Sequence, residues 1–479
     1  MTQKQALDIL KMGHNVFLTG EPGSGKTHTI NEYVAYLRRH GIEPAITAST
    51  GISATHIGGM TIHSWSGIGI KNALDSRELK RIALSKYISK RVKRAKVLII
   101  DEVSMLSSQT FSMVDAVCRE IKKNSDPFGG IQIVLVGDFF QLPPIIKTQL
   151  KNDTQKTLLS ELSGLFAYDS PLWRRAKLSV CYLTEQHRQD DSNFLELLSA
   201  IRRNNFNDSH LRHIETRKIA YDSAPKTAPK LFSYNVDVDH VNNEILDTLK
   251  GESKVFTMFS QGPEPLVLML KKGCLSPNTL CLKSGAAVMF TKNNAKEGFV
   301  NGTLGIVEKF AEHTQEPIIK TRNGRMIKTQ TMDWTIEENG KVRARITQLP
   351  LRLAWAITVH KSQGMSLDEA TMDLGNVFEF GQGYVALSRL RRLSGLHLLG
   401  FNDHAFKVHP EVLKKDVEFQ EQSVKAKADF SSIIKDDVKK ISEQFIILCG
   451  GKIQENVLEK SGIKKNSWPF GFGKIRQKH

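Results

Sequence analysis

Apolar residues gather early in this chain into short unbroken runs, "VFLTG" at 16–20, "PAITAST" at 44–50, "AKVLIIDE" at 95–102 and "IQIVLVGD" at 131–138. Runs of this length, bounded by turn or polar residues, read as strands buried on both faces. Between them the period changes. In "THTINEYVAYLRRH", 27–40, Ile30, Tyr33, Val34 and Leu37 recur at helical spacing, and Gly41 follows two arginines and a histidine as a stop. The alternation predicts an α/β fold with a parallel sheet and ligands at the strand ends. A second series begins near 230–235 and continues through "GAAVMFT", 285–291, and "RLAWAITVHKSQG", 352–364. Two such sheets enclose a cleft.

Between 292 and 349 the pattern shifts to short alternating segments with turn signals, "NGT", "RNGR" and "ENGK", which predicts a small β-barrel inserted in the second unit. The expected organisation is therefore a first unit over 1–185 with an insert at about 68–94, a second over 186–410 with the barrel at about 292–349, and a charged, helix-like extension over 411–479 of unassigned role.

Charge narrows the partners. Sixty-seven Lys+Arg against 50 Asp+Glu leave a formal charge of +17, which favours a polyanion. A membrane surface competes, but no apolar run approaches the roughly 20 residues that span a bilayer. The five cysteines show neither a C-x-x-C pair nor regular spacing, so neither zinc nor a disulfide framework is suggested and a reducing compartment is expected. "MTQKQALDILKMGHN" has no secretory h-region, so the chain is expected to act in the cytoplasm where it is made.

The first apolar run leads into "GEPGSGKT", 20–27, a full match to G-x-x-x-x-G-K-[ST] between a strand and a helix. Gly20, Gly23, Ser24 and Gly25 let backbone N–H groups close on phosphates, Lys26 reaches the β and γ oxygens, and Thr27 ligates Mg²⁺. "VLIIDEVSM" ends a buried strand in two acids, with Asp101 placed for the Mg²⁺ shell and Glu102 to polarise the attacking water. "IQIVLVGDFFQLPP" offers Gln141 to the γ-phosphate or that water, with Phe139 and Phe140 beside it to transmit the state. Arg188 and Arg389, far off in sequence, are the candidates to stabilise a transferring phosphoryl group. For a single strand, "TASTGISATHIGGMTIHSWSGIG" supplies Thr47, Ser49 and Thr50 for phosphates and His63 and Trp65 for bases or sugars, while Phe139, Thr358, His360 and Lys361 extend the surface.

Taken in order, "TASTGISA", "TIHSWSGIG", "LIIDEVSM", "GDFFQLPP", "TEQHRQD", "AWAITVHKSQGMSLD" and "GQGYVALSR" resemble the motifs of the PIF-type DNA helicases, a branch of superfamily one type B. "FSMVDAVCREIKKNSDPFGGIQ", 111–132, resembles the segment that separates that family from its RecD-like relatives. The resemblance spans about residues 3–401. It implies two RecA-like domains, an SH3-like barrel in the second insert, a wedge formed by the first insert beside the strand-duplex junction, and ATP-driven 5′→3′ movement on single-stranded DNA with unwinding, in repair, recombination, replication or genome maintenance. It also makes Gln5 the adenine-contacting glutamine, with Gln3 second, and sets Gly364 and Gln382 on the nucleotide. The expected cofactors are ATP and Mg²⁺, the expected partners single-stranded DNA and junctions, and the chain is expected to be monomeric off DNA. Two departures stand out: Trp65 replaces a smaller aromatic, and "EPGSGKT" replaces "SAGTGKS". The competing readings are an RNA-directed or translocation-only motor, a nucleotide-switched DNA-binding scaffold, and a hexameric ATPase.

Overall fold

The computed structural model describes residues 1–57, 59–69, 71, 73–144, 164–185, 191–225, 228–232, 238–294, 296–321, 323–338, 341–359, 362 and 365–453. Its first lobe is built on six strands, β1 (Val16–Gly20), β2 (Ala45–Ala48), β3 (Met60–Thr61), β4 (Val97–Asp101), β5 (Gln132–Val136) and β6 (Ser179–Leu183), in the order β3-β2-β4-β5-β1-β6. All neighbours are parallel. The unbroken apolar runs follow from burial on both faces: Val16, Leu18, Val97, Ile99, Val134 and Val136 face one core, while Phe17, Leu98, Ile100, Ile133 and Leu135 face the other. Because every strand runs the same way, Gly20, Asp101 and Gly137 emerge at one edge of the sheet, where α/β folds bind ligands.

The chain enters the second lobe at β7 (Lys230–Phe232) and then leaves it for ten strands: β8 (Lys254–Thr257), β9 (Phe259–Gln261), β10 (Thr279–Leu282), β11 (Ala287–Phe290), β12 (Leu304–Phe310), β13 (Pro317–Thr321), β14 (Met326–Lys328), β15 (Met332–Glu338), β16 (Lys341–Gln348) and β17 (Leu351–Leu353). These form small antiparallel sheets ordered β10-β8, β14-β13-β12-β11-β17 and β15-β16-β9. The chain then returns as β18 (Ala356–Thr358), β19 (Ala370–Leu374) and β20 (Leu396–Phe401), which with β7 make a parallel sheet ordered β18-β7-β19-β20. Two expectations change here. "GAAVMFT" holds β11, whose partners β12 and β17 are antiparallel, so it belongs to the excursion and not to the second parallel sheet. The excursion is also wider than 292–349, since β9 pairs with β16. A short apolar run looks the same in either kind of sheet, so periodicity alone did not separate them.

The insert near 68–94 is two helices, Ser76–Leu84 and Lys86–Arg94. Ile82 and Val92 are buried in the first lobe's core, and Leu84, at the turn between the helices, is 81% exposed. Beyond β20 the chain forms helices Pro410–Ser431 and Lys435–Leu448, which dock on the first lobe. Phe419 enters the cluster of Phe17, Phe139 and Trp173, and Ile446 packs with the core of the opening helix Gln3–Lys11. The tail is thus a brace from the second lobe back to the first. Its last segment, with "SWPFGFGK", lies outside the described residues.

Candidate functional site

The phosphate loop leaves β1 and hands its chain to helix Lys26–Arg39, with Gly25 capping it at φ 87°. Lys26 Nζ donates to the carbonyls of Gly20, at 2.8 Å, and Glu21, at 3.1 Å. Burial lowers the pKa of this ammonium; Asp138, Glu102 and Asp101 pull it back up and Arg202 pushes it down further. Asp101 closes β4, and its carboxylate accepts from Glu102 N at 2.9 Å. Burial raises the pKa of both acids. For Glu102 the neighbouring Asp101 raises it again, while Arg389 and Lys26 hold it down. Glu102 also sits in the left-handed region, φ 53° and ψ 47°, a strain of order 1–3 kcal/mol for a residue with a Cβ, of the kind that collects at functional sites.

The donor set suits a hard cation that keeps most of its shell in water and phosphate: one carboxylate, Asp101, and one exposed hydroxyl, Thr27. Ser24 Oγ is buried in the loop without a partner among the described residues, as expected of a group whose acceptor is a phosphate.

The second lobe reaches this site through helix Gln382–Leu387. Gly381, at φ 78°, lies so close to the sensor segment that a Cβ there would meet Phe140 O at 2.5 Å. That contact sets Gln382, which is buried, beside the backbone of Phe140 and Gln141, and Gln141 itself is 8% exposed. Arg389 is 4% exposed; its Nε donates to Val385 O at 2.9 Å and its Nη2 to Ser388 Oγ at 2.8 Å. Its charge acts on the Glu102 carboxyl. The tertiary fold therefore gathers Lys26, Asp101, Glu102, Gln141, Gln382 and Arg389. Arg188, Gly364, His360 and Lys361 lie outside the described residues.

The two glutamines of the opening helix divide their work. Gln5 Oε1 accepts from Thr2 N at 3.0 Å in a capping box, while Gln3 Nε2 donates to Ser24 O of the phosphate loop at 3.2 Å. The cap uses one lone pair of Gln5 and leaves its amide hydrogens out of the bond, so it is compatible with an adenine contact.

Several expected DNA contacts need correction. Trp65 is 2% exposed and packs in the first lobe's core, with its carbonyl accepting from Arg91. Phe139 is likewise buried, with ring centroids of Tyr168 at 4.7 Å and Phe17 at 5.5 Å. Thr47 is fully buried and donates to Ile99 O at 2.7 Å, and Ser49 donates to Glu102 O at 2.8 Å. Thr47 thus ties β2 to β4, while Ser49, just past β2, steadies the acidic turn just past β4 and does not face a phosphate. Thr358 is also buried, at the end of β18. Thr50 and His63 remain half-buried, the former capping helix Gly51–His56 through Ser53 N at 3.2 Å. Burial lowers the pKa of His63 and so favours its neutral ring. As a consequence, Trp65→Ala costs about 3–5 kcal/mol of stability, read as a fall in the urea midpoint. An unchanged midpoint with weakened DNA binding would restore Trp65 to the strand surface.

Sequence reasoning missed Arg202. It is buried on helix Ser192–Arg202, its Nη1 2.7 Å from Asp138 Oδ1 and its Nη2 2.9 Å from Tyr182 Oη and 3.4 Å from Asp416. Breaking such a buried pair from one side costs about 3–5 kcal/mol. On the same helix Ser199 Oγ donates to Glu21 at 3.0 Å, a bond to a charged group worth about 1.5–3 kcal/mol. The signal was present: Arg202 follows Phe194 and Leu198 on the helix's apolar stripe, where an arginine is out of place unless paired.

With this geometry in hand, comparison with known proteins is decisive. Residues 2–218 match the model of the PIF1-like helicases, and 266–310 match the 2B domain of DNA helicase Pif1. An ATP-dependent DNA helicase Pif1 of Psychrobacter sp. is 38% identical over 95% of this chain and 76% of its own length. The chain belongs to the PIF1-like helicase family. Its fold agrees with that of Bacteroides sp. Pif1 in complex with ADP-AlF4, at a TM-score of 0.76 and 28% identity over 88% of this chain and 96% of that one. Bacteroides Pif1 bound to ssDNA is similar at a TM-score of 0.59 and 29% identity, over 87% of this chain and 96% of that one. Against the vertebrate relatives of the family the chain spans 61–63% of their length. Among the described residues no helix is long and apolar enough to cross a membrane.

Proposed function

We propose that this chain couples ATP hydrolysis to 5′→3′ movement along single-stranded DNA and opens duplex at the junction it meets. It is an ATP-dependent DNA helicase. The observation that carries the mechanism is the close approach across the cleft: Gly381, at the head of the helix that leads to Arg389, lies so near the sensor segment that a Cβ would meet Phe140 O at 2.5 Å, and from the second lobe the Arg389 charge holds down the pKa of Glu102 on the first. A charge delivered from one lobe to the catalytic acid of the other makes turnover depend on how the lobes close.

In this reading Lys26 neutralises the phosphate oxygens and Glu102 takes the proton of the attacking water. Arg389 stabilises charge on the transferring group, Gln141 orients the water and Gln382 holds the nucleotide from the second lobe. Thr27 and Asp101 would hold Mg²⁺, which supplies further charge neutralisation at the phosphates. Gln5 is the proposed adenine contact. Arg188, as a second finger, and Gly364 complete the proposed nucleotide set, with His360 and Lys361 proposed on the strand.

Each lobe grips DNA with an affinity that changes as the cleft opens and closes, so hydrolysis is converted into directed steps. The basic helices Ser76–Leu84 and Lys86–Arg94, with Leu84 at their exposed turn, suit a wedge. The antiparallel excursion, read as an SH3-like barrel, reaches the strand-binding side through helix Glu264–Gly273, where a Cβ on Gly51 would lie 3.1 Å from Gly273 Cα. The chain is read as a monomer off DNA, bacterial or phage-like, acting in the cytoplasm at the nucleoid. The test is strand displacement from duplexes with a 5′ or a 3′ single-stranded tail. Unwinding from the 5′ tail and not the 3′ tail is expected; opening from the 3′ tail alone would refute the polarity.

A further inference from the structure

Asp416, Phe419 and Ser423 recur at helical spacing on helix Pro410–Ser431 and share the face that meets the first lobe. Phe419 enters the aromatic core already described. Ser423 Oγ is buried and accepts from Tyr182 N at 3.0 Å, on β6, the outermost strand of the first sheet, so the helix occupies that strand's free edge. Asp416 does something that neither packing nor edge cover requires. It brings a carboxylate to the buried Arg202.

The guanidinium of Arg202 is held at its two ends, since its Nε has no hydrogen-bond partner among the described residues. Nη1 meets Asp138 Oδ1 at 2.7 Å and Tyr384 Oη at 3.5 Å, while Nη2 meets Tyr182 Oη at 2.9 Å and Asp416 Oδ1 at 3.4 Å. The Phe140 ring centroid lies 4.2 Å from Cζ. Tyr182 Oη donates in turn to Asp416 Oδ2 at 3.2 Å, and Gln420 Nε2 donates to the same oxygen at 2.7 Å. The tail carboxylate thus anchors the far end of the arginine, and the near end grips the sensor segment. There Asp138 Oδ1 also accepts from Phe140 N at 3.2 Å, and Gln141 N donates to Asp138 O at 3.0 Å. Asp138 Oδ2 is buried with no hydrogen-bond partner among the described residues, so the carboxylate is oriented through Oδ1. The turn that it shapes carries Gln141.

We propose that Asp416 is a positioning residue for ATP hydrolysis, acting through Arg202 and Asp138 to hold Gln141 on the attacking water, so that the extension beyond β20 is part of the hydrolytic apparatus. The inference rests on the reading of Gln141 given above. Without the charge at 416, Arg202 has one carboxylate in place of two, and the guanidinium settles toward the one that remains. Asp138 turns with it, and the amide of Gln141 leaves its place. A displacement of about 1 Å, set off far from the chemistry, costs about a hundredfold in rate.

The test is steady-state ATP hydrolysis by the full chain with a saturating single-stranded oligodeoxynucleotide, comparing D416N, Y182F and Q141A with D416N/Q141A and Y182F/Q141A. D416N lowers kcat about ten- to hundredfold and leaves KM for ATP within about twofold, the pattern of an interaction realised in the transition state. Added to Q141A, D416N changes kcat by less than about twofold, because the group that it positions is gone. Y182F keeps the ring and removes only the hydroxyl between Arg202 and Asp416; it lowers kcat in the presence of Gln141 and not in Q141A, and it decides the matter if D416N does not fold. A D416N variant that turns over like the unaltered chain would overturn the proposal. So would a loss of the same factor with and without Gln141, the mark of a purely structural role, or a rise in KM with kcat unchanged. Should Q141A itself keep full turnover, the sensor reading of Gln141 falls and the route from the tail falls with it. If Q141A is impaired while D416N and Y182F are not, only the role of the tail falls.

Discussion

Glu102→Gln lowers ATP turnover by about 10²- to 10⁴-fold, the range for loss of a general base, while ATP and DNA still bind. The amide keeps the shape of the side chain and its backbone conformation but cannot accept the proton of the attacking water. Steady-state ATPase assays beside binding of nucleotide and of single-stranded DNA check this; a variant that still unwinds DNA removes Glu102 from the role. The electrostatics add a pH signature. Burial and Asp101 raise the Glu102 pKa above the usual carboxylate range. The base works deprotonated, so turnover is present above the raised pKa and is lost as pH falls through it. The acid limb of kcat/KM then lies at higher pH than an ordinary glutamate would give, and it disappears in Glu102→Gln.

Arg389→Ala costs about 10³- to 10⁵-fold in turnover, the measured worth of arginine fingers. Its second effect separates a finger from a structural arginine. Arg389 holds the Glu102 pKa down, so removing it moves the acid limb upward. Arg389→Lys keeps that charge and leaves the limb in place, yet loses the planar two-pronged geometry and most of the rate. Stopped-flow and steady-state pH profiles of the two variants decide it. If the limb stays put in Arg389→Ala, the arginine does not face Glu102 and the coupling of lobe closure to hydrolysis fails.

The sequence places Lys26, Asp101 and Glu102 in one proposed nucleotide site, and the fold does bring their charges together. A phosphate loop depends on contiguous residues with fixed backbone demands, and a carboxylate pair after a buried strand has few other uses, so Lys26, Thr27, Asp101 and Glu102 can each be proposed from a short window of sequence. Residues chosen for a strand surface fared worse. Thr47, Ser49, Trp65 and Phe139 look available for DNA because they are polar or aromatic near glycines, but each is turned inward. A strand covered on both faces spends its hydroxyls on neighbouring strands, as Thr47 does on Ile99 O, and a large ring beside a loop is most stable in the core.

What the sequence determined alone is local: the strand and helix periods, the phosphate loop, the acids at the strand ends, the ordered motifs that carry the family, and a positive charge suited to a polyanion. Only the tertiary structure decided which distant groups meet. It laid the helix that leads to Arg389 against the sensor segment so that the arginine's charge bears on Glu102, buried Arg202 against Asp138, set Ser199 on Glu21, and folded the tail back so that Phe419 joins the first lobe's aromatic core. The reason is physical: propensity and period are properties of neighbours along the chain, whereas charge pairing and packing depend on separations through space that no short window of sequence contains.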